Sequence, residues 1–253
     1  MFEVIRIPAF NDNYIWLLRK GAAAVVVDPG DARPVIEVLE REGLSLAAIL
    51  ITHHHADHQG GVPALIARCP CPVFGPAAES ITGITQALRG GELIRIAALN
   101  TEFSVLQVPG HTLGHLAYYG AGCLFCGDTL FGGGCGRLFE GTPAQMLDSL
   151  ERLAALPDET AVYCAHEYTE ANLRFALAVE AGNRALQARV DEVAVTRAKG
   201  LPTVPSTIAL EKATNPFLRC HSPEVIASSA LRVPGSSGLL QVFTALREWK
   251  NDF

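Results

Sequence analysis

Between Thr52 and Gly61 the chain reads His53-His54-His55-Ala56-Asp57-His58-Gln59-Gly60. Four of its eight histidines therefore fall in six consecutive positions. Packing gives no reason to crowd imidazoles in this way. Divalent metal binding does, because neutral imidazole and carboxylate are common ligands of zinc and related ions. The His-x-His-x-Asp-His spacing nominates His53, His55, Asp57 and His58. Three more donors sit in loops at the ends of apolar runs: His111 in Pro-Gly-His-Thr, Asp128 in Cys-Gly-Asp-Thr and His166 in Cys-Ala-His-Glu. Seven donors are too many for one tetrahedral ion. They suit two ions roughly 3.5–4 Å apart that share Asp128, an arrangement able to activate water held between them.

The elements that must position these donors are legible around them. Val25-Val26-Val27 is a β-branched run ending in Asp28-Pro29-Gly30, a strand leading into a turn. Residues 34–42 carry apolar side chains at 35, 36, 38 and 39, a helical spacing stopped by Gly43. Residues 47–51 form a second apolar run that enters the histidine cluster directly. Strand, helix, strand in this order predicts a layered α/β unit. Period-two alternation past its end turns His53 and His55 one way and His54 the other.

Further strands are expected at 105–108, 116–119, 124–126 and 161–164, each ending close to a His or Asp. Rigid strand ends are good holders of polar ligands. Thr142 as N-cap, Pro143 in the first turn and Gln145 as capping-box partner open a helix that Pro157 closes. After His166 the texture becomes helical. Helices are expected at 170–180 and 184–199, the second ended by Gly200. Residues 201–216 hold three prolines and read as an extended connection. Ser222-Pro223 and the Ser236-Ser237 region each open a helix, the last running to about Lys250. The division expected is an α/β domain over 1–167 and a mostly helical domain over 168–253.

Other chemistry-bearing residues read more plainly. His54 points away from its neighbours and takes a supporting role. His115 is structural, and His221 lies on the surface. Cys123 and Cys126 have Cys-x-x-Cys spacing, but residues three apart in a strand face opposite sides. The Gly132-Gly133-Gly134-Cys135-Gly136 run lacks the Gly-Lys-Ser/Thr ending of a phosphate loop and reads as a wall that lets a ligand approach closely. Cys69 and Cys71, flanked by prolines, are packing residues.

Composition narrows the classes. At 253 residues, 49% hydrophobic and 18% charged, the chain can bury a substantial core. The formal net charge of −6 and the lack of a long basic run argue against a nucleic-acid partner. Apolar runs such as 22–27 are far short of a membrane span. The N-terminus has no charged region followed by an apolar stretch and a cleavage site. The seven cysteines are odd in number and irregular in spacing, which points to a reducing compartment, the cytoplasm.

The metal motif with His111, Asp128 and His166 resembles the metallo-β-lactamase superfamily, which implies an αββα sandwich with the site at one edge of two packed sheets. More narrowly, the chain resembles glyoxalase II, the hydroxyacylglutathione hydrolases, nearly end to end. The resemblance is carried by Phe10-Asn11-Asp12-Asn13-Tyr14, Asp28-Pro29-Gly30 and Gly134-Cys135-Gly136-Arg137-Leu138-Phe139-Glu140-Gly141. It continues in His166-Glu167-Tyr168-Thr169, Asn215-Pro216-Phe217-Leu218-Arg219 and the stretch from Arg247 to Phe253. It implies one metal on His53, His55 and His111, a second on Asp57, His58 and His166, and Asp128 bridging. Zinc is the first expectation, with iron or manganese also accepted by such donors. Arg137, Tyr168, Arg247 and Lys250 match glutathione contacts, and Arg, Lys and a Tyr hydroxyl pair well with carboxylates. Phe139 stands where some relatives have Tyr and reads as an apolar wall.

The implied reaction is hydrolysis of S-D-lactoylglutathione and related S-2-hydroxyacylglutathiones to D-lactate and glutathione, the second step of methylglyoxal detoxification. Asp57 and Asp128 are its implied catalytic carboxylates, and the protein is expected to act as a monomer. Rival readings are a β-lactam hydrolase, a tRNA-processing phosphodiesterase, a glutathione persulfide dioxygenase and a purely structural metal-binding module. The first is disfavoured by Asp128 where zinc β-lactamases commonly place Cys. The second is disfavoured by the acidic balance.

Overall fold

A computed structural model describes residues 1–253. The chain forms two compact units, Met1–Gln107 with Leu113–Gly127, and Val108–Thr112 with Asp128–Phe253.

The first unit opens with β1 (Glu3–Ala9), β2 (Asn13–Lys20) and β3 (Ala23–Val27), an antiparallel meander. Helix α1 (Ala32–Glu42) then returns the chain to β4 (Ser45–Leu50), which runs parallel to β3. Asp31 caps α1 by accepting from the Arg33 amide, and Gly43 ends it at φ 64°. The helix buries Ala32, Val35, Val38 and Leu39, the face that its periodicity predicts. The short helices α2 (Ala56–Gln59) and α3 (Val62–Arg68) follow, then β5 (Val73–Pro76) and β6 (Gln86–Leu88), completing a sheet of order β1-β2-β3-β4-β5-β6. One face of this sheet packs against α1 and α3 through Ile7, Leu17, Val26, Val35, Leu39 and Leu65. Strands β3 and β4 lie inside the sheet, and Val25, Val26, Ile49 and Leu50 have no exposed surface.

Strands β7 (Leu93–Ile96), β8 (Thr101–Gln107), β9 (Leu116–Gly120) and β10 (Cys123–Gly127) pair antiparallel in sequence order. This second sheet meets the first through Phe2 against Phe103, ring centroids 6.0 Å apart, and through the Tyr118 hydroxyl, which donates to Ile51 O at 2.7 Å. Burial raises the Tyr118 phenol well above its usual pKa, so it stays a donor.

The second unit begins with the hairpin β11 (Leu130–Phe131) and β12 (Gly134–Cys135). Helix α4 (Pro143–Ala154) has both halves of its capping box: the Gln145 amide donates to Thr142 Oγ1, and the Thr142 amide donates to Gln145 Oε1. Strand β13 (Ala161–Cys164) precedes α5 (Thr169–Val179) and α6 (Arg184–Ala198), which share a core of Leu173, Ala176, Leu186 and Val193.

The extended connection expected over 201–216 is corrected here. After β14 (Ser206–Thr207), which pairs with β13, residues Ile208–Thr214 form helix α7. Thr207 caps it by accepting from the Leu210 amide, and prolines stand outside this helix, not in it. Helices α8 (Pro223–Arg232) and α9 (Leu239–Asp252) complete the chain. Phe175, Phe217 and Phe243 pack as an aromatic core. Glu180, 3% exposed, accepts from Arg219, Asn183 and Ser222. No helix is long and apolar enough to cross a membrane.

Candidate metal centre

In the first unit the site grows from the parallel pair β3 and β4, whose carboxyl ends lie side by side because Val27 pairs with Leu50. Past β3, Asp28 adopts φ 52° and turns its carboxylate onto the loop that leaves β4. Its Oδ1 accepts from the Thr52 amide at 2.8 Å, and its Oδ2 from Thr52 Oγ1 at 2.7 Å and from His58 Nδ1 at 3.0 Å. A carboxylate on one ring nitrogen fixes the tautomer and leaves the lone pair on the other, so His58 Nε2 is the atom that could hold a metal. That nitrogen lies 3.4 Å from Asp57 Oδ2.

Thr52 fixes the next imidazole. Its hydroxyl proton goes to Asp28, so it accepts from His53 Nδ1 at 3.0 Å, which leaves the lone pair of His53 on Nε2. That Nε2 faces His55 Nδ1 at 3.1 Å. Adjacent ligands of one tetrahedral ion with bonds of ~2.0–2.1 Å stand about 3.3 Å apart, close to what is seen. Asp57 and His58 share the single turn α2, and Asn13 Nδ2 donates to Asp57 Oδ2 at 2.8 Å. Gly30 is required beneath this turn, since a Cβ there would stand 1.8 Å from Asp57 O.

His54 does not turn away as expected: its ring meets that of His55 edge-on at 5.0 Å, and its Nδ1 is 3.1 Å from Glu79 Oε2. His115 has no exposed surface and stacks on His53 at 4.5 Å, backing that ring. His221 is exposed.

The second unit gathers His111, Asp128 and His166. Ser149 of α4 donates to Pro109 O and steadies the turn before His111. His111 Nδ1 donates to Arg137 O at 2.8 Å, which turns its Nε2 toward Asp128 Oδ2 at 3.4 Å. His166 Nε2 is also 3.4 Å from that same Oδ2. One carboxylate oxygen is thus flanked by two imidazoles. Gly136 lies against Asp128, where a Cβ would come within 2.0 Å of Asp128 O, and its amide donates to Thr129 O. Tyr168 stacks on His166 at 4.8 Å and 7°, and Phe131 meets both rings edge-on. Phe139, 61% exposed, sets an apolar edge against His111.

The other sequence-predicted residues of this unit form a basic group. Arg137 is exposed and Lys250 half-buried. Burial lowers the Lys250 pKa, and the neighbouring charges of Arg247, Arg174 and Arg137 lower it further. Arg247 is buried and donates to Cys135 O at 2.9 Å and Gly136 O at 3.4 Å. It therefore braces the glycine loop besides adding positive charge. Sequence reasoning missed Arg174, Asn13, Thr52 and Asp28 as parts of the site. Asp28 was visible in the sequence only as the first residue of the Asp-Pro-Gly turn, which does not mark it as a partner of Thr52 and His58.

The donor set fits divalent metal in both units: neutral imidazoles with tautomers fixed by oxygen partners, alongside carboxylates. Comparison with known proteins agrees. Residues 9–166 match the model of the metallo-β-lactamase superfamily, and residues 167–253 match that of the hydroxyacylglutathione hydrolase C-terminus. The chain is 59% identical to a hydroxyacylglutathione hydrolase of Dechloromonas aromatica and 55% identical to that of Methylobacillus flagellatus, with all of each chain covered. Among solved structures it is similar to ETHE1 from Myxococcus xanthus, with TM-score 0.68, 28% identity, and 98% of this chain and 90% of that one covered. TTHA1623 in a di-iron-bound form aligns with TM-score 0.60 and 26% identity over 85% of this chain and 100% of that one. The chain belongs to the hydroxyacylglutathione hydrolase family of the metallo-β-lactamase superfamily.

Proposed function

We propose that this protein is a binuclear-metal thioesterase that hydrolyses S-D-lactoylglutathione and related S-2-hydroxyacylglutathiones, releasing D-lactate and glutathione in the second step of methylglyoxal detoxification. Relatives matched over their full length carry the name of this hydrolase. The observation that carries the binuclear reading is Asp128 Oδ2, 3.4 Å from Nε2 of both His111 and His166. A carboxylate so flanked is suited to be shared. In this reading His53, His55 and His111 hold one ion, and Asp57, His58 and His166 hold the other. Zinc is the metal proposed, and iron or manganese suits the same donors. The di-iron form of TTHA1623 is a relative's precedent for iron.

Bound metal supplies two things: a coordinated water with pKa lowered to about 7, and positive charge for a carbonyl oxygen. The chain's own residues supply the rest. Asp57, held by Asn13, orients the attacking water. Asp28 and Thr52 keep His58 and His53 in the ligating tautomers. The leaving group is a thiolate, which needs no dedicated general acid. Arg137, Tyr168, Arg247 and Lys250 bind the glutathione moiety, the cations pairing with its carboxylates.

Residues 1–167 are proposed as the metal-binding catalytic domain and 168–253 as the substrate-binding helical domain. The working form is a monomer with neither nucleic-acid nor membrane partner. The compartment is the cytoplasm, where the seven cysteines stay reduced.

The test is turnover of S-D-lactoylglutathione, followed through loss of thioester absorbance, with elemental analysis of the same sample. Thioester cleavage with two metals per chain is expected. Oxygen uptake with glutathione persulfide, one iron per chain and no thioester cleavage would replace this reading with a persulfide dioxygenase.

A further inference from the structure

Outside the candidate metal centre, a buried charged cluster stands behind the glycine hairpin. Glu211 of α7 has no exposed surface, and Arg189 of α6 is 4% exposed. Their side chains meet at 2.6 Å. A carboxylate offers about four acceptor positions, and four donors fill those of Glu211. Oε1 takes Arg189 Nη2 and the Ser206 hydroxyl. Oε2 takes Asn215 Nδ2 at 3.0 Å and the backbone amide of Gly133 at 2.8 Å.

The last bond sets this pair apart from an ordinary structural salt bridge. Gly133 is in the turn of the β11–β12 hairpin, whose first strand begins two residues after Asp128. Asn215, itself oriented by Glu211, also donates to Phe131 O at 3.3 Å and Gly134 O at 2.9 Å. Turn and both strands are thus held through one carboxylate. The hairpin then runs through Gly136 into Arg137, whose carbonyl accepts from His111 Nδ1 at 2.8 Å. At its other end the Gly136 amide closes on Thr129 O, beside Asp128. A displacement of the hairpin therefore reaches the acceptor that aims His111 and the backbone that carries Asp128.

We infer that Glu211, neutralised by Arg189, is a positioning residue for the metal ligands His111 and Asp128, acting through the Gly132–Gly136 hairpin. This rests on the reading that His111 and Asp128 hold metal. Buried charge is otherwise a poor stabiliser, because desolvation offsets much of the attraction. Holding one loop at one height is work that suits it. Glutamine cannot replace this group, since its amide would turn a donor toward donors.

The experiment uses the full chain with zinc alone as probe. Zinc affinity is measured by chelator competition, and the His111 Nδ1–H resonance is followed by NMR with and without zinc. Glu211→Gln is compared with Glu180→Gln, which breaks a second ion pair of the helical region that does not touch the hairpin. In Glu211→Gln the expected results are zinc affinity per folded molecule lowered about tenfold or more, the scale seen for outer partners of metal ligands, and a moved or broadened resonance. Glu180→Gln is expected to leave both unchanged. Should Glu211→Gln not fold, Arg189→Met/Glu211→Gln removes both charges together and is expected to behave the same way. Wild-type affinity and resonance in a folded Glu211 variant, or equal changes in Glu180→Gln, overturn the inference. Because the resonance is also read without zinc, control of His111 is tested even where the metal reading fails, and wild-type thioester turnover tests that reading separately.

Discussion

An imidazole can take a metal only if its lone pair is on the correct nitrogen, and in the candidate centre oxygen atoms set the tautomer. Asp28 does so for His58, Thr52 for His53 and the Arg137 carbonyl for His111. Asp128 is different, because a single oxygen faces two rings. Asp128→Ala is expected to lose metal and turnover together, with metal per chain falling below one and kcat down at least 100-fold. Elemental analysis and steady-state kinetics check both. The seven ligand candidates were legible because metal chemistry restricts residue type and spacing. Their supports were not. Asp28 in Asp-Pro-Gly reads as a turn residue, and Glu211 in Ile-Ala-Leu-Glu-Lys-Ala-Thr reads as one more charge on a helix surface. Only the fold turns those carboxylates inward.

At the scale of elements, local signals were readable where one residue dictates one geometry. The Thr142–Gln145 box and the Gly43 stop both form as expected. Thr142→Ala is expected to cost about 1 kcal/mol, seen in urea unfolding as a lower midpoint with unchanged slope. Strand β2 gives no alternation to read, because its first six residues are all buried. Helix α7 was hidden by length, since seven residues between prolines look like an irregular connection. Helix α9 carries two cations of different character. Arg247 is buried against the loop carbonyls, whereas Lys250 is half-buried over the rings of Phe175 and Phe253. Lys250→Ala is therefore expected to raise KM for the glutathione thioester about tenfold with kcat within twofold, the pattern of a contact remote from the reacting carbonyl. Arg247→Ala is expected to lower kcat as well, because it releases the carbonyls of Cys135 and Gly136.

Over the whole molecule, stability and pH are linked through buried carboxylates. Burial alone would raise the pKa of Glu180, but hydrogen bonds from Arg219, Asn183 and Ser222 outweigh it and lower the value. A carboxylate lowered in the folded state stabilises above its unfolded pKa, about 4.3, and loses that contribution as pH falls through the folded value. Glu180→Gln is thus expected to be less stable than wild type at pH 7, with the gap closing below about pH 4. Denaturant melts across pH measure it. The strands that end at the donor loops and the helical texture after His166 were legible from sequence, whereas β1, β2 and β5 to β7 carried no readable mark. The division into compact units was not legible either, since Val108–Thr112 belongs with residues far along the chain. Finally, the thiols tell a story of endurance. Burial lifts Cys164 and Cys220 to about 12, and Cys135 is also raised despite the opposing charge of Arg247. Thiols kept protonated make poor attackers of disulfides. A catalyst that liberates glutathione at every cycle can therefore work on through an oxidative burst, when glutathione disulfide accumulates, without these cysteines being capped as mixed disulfides.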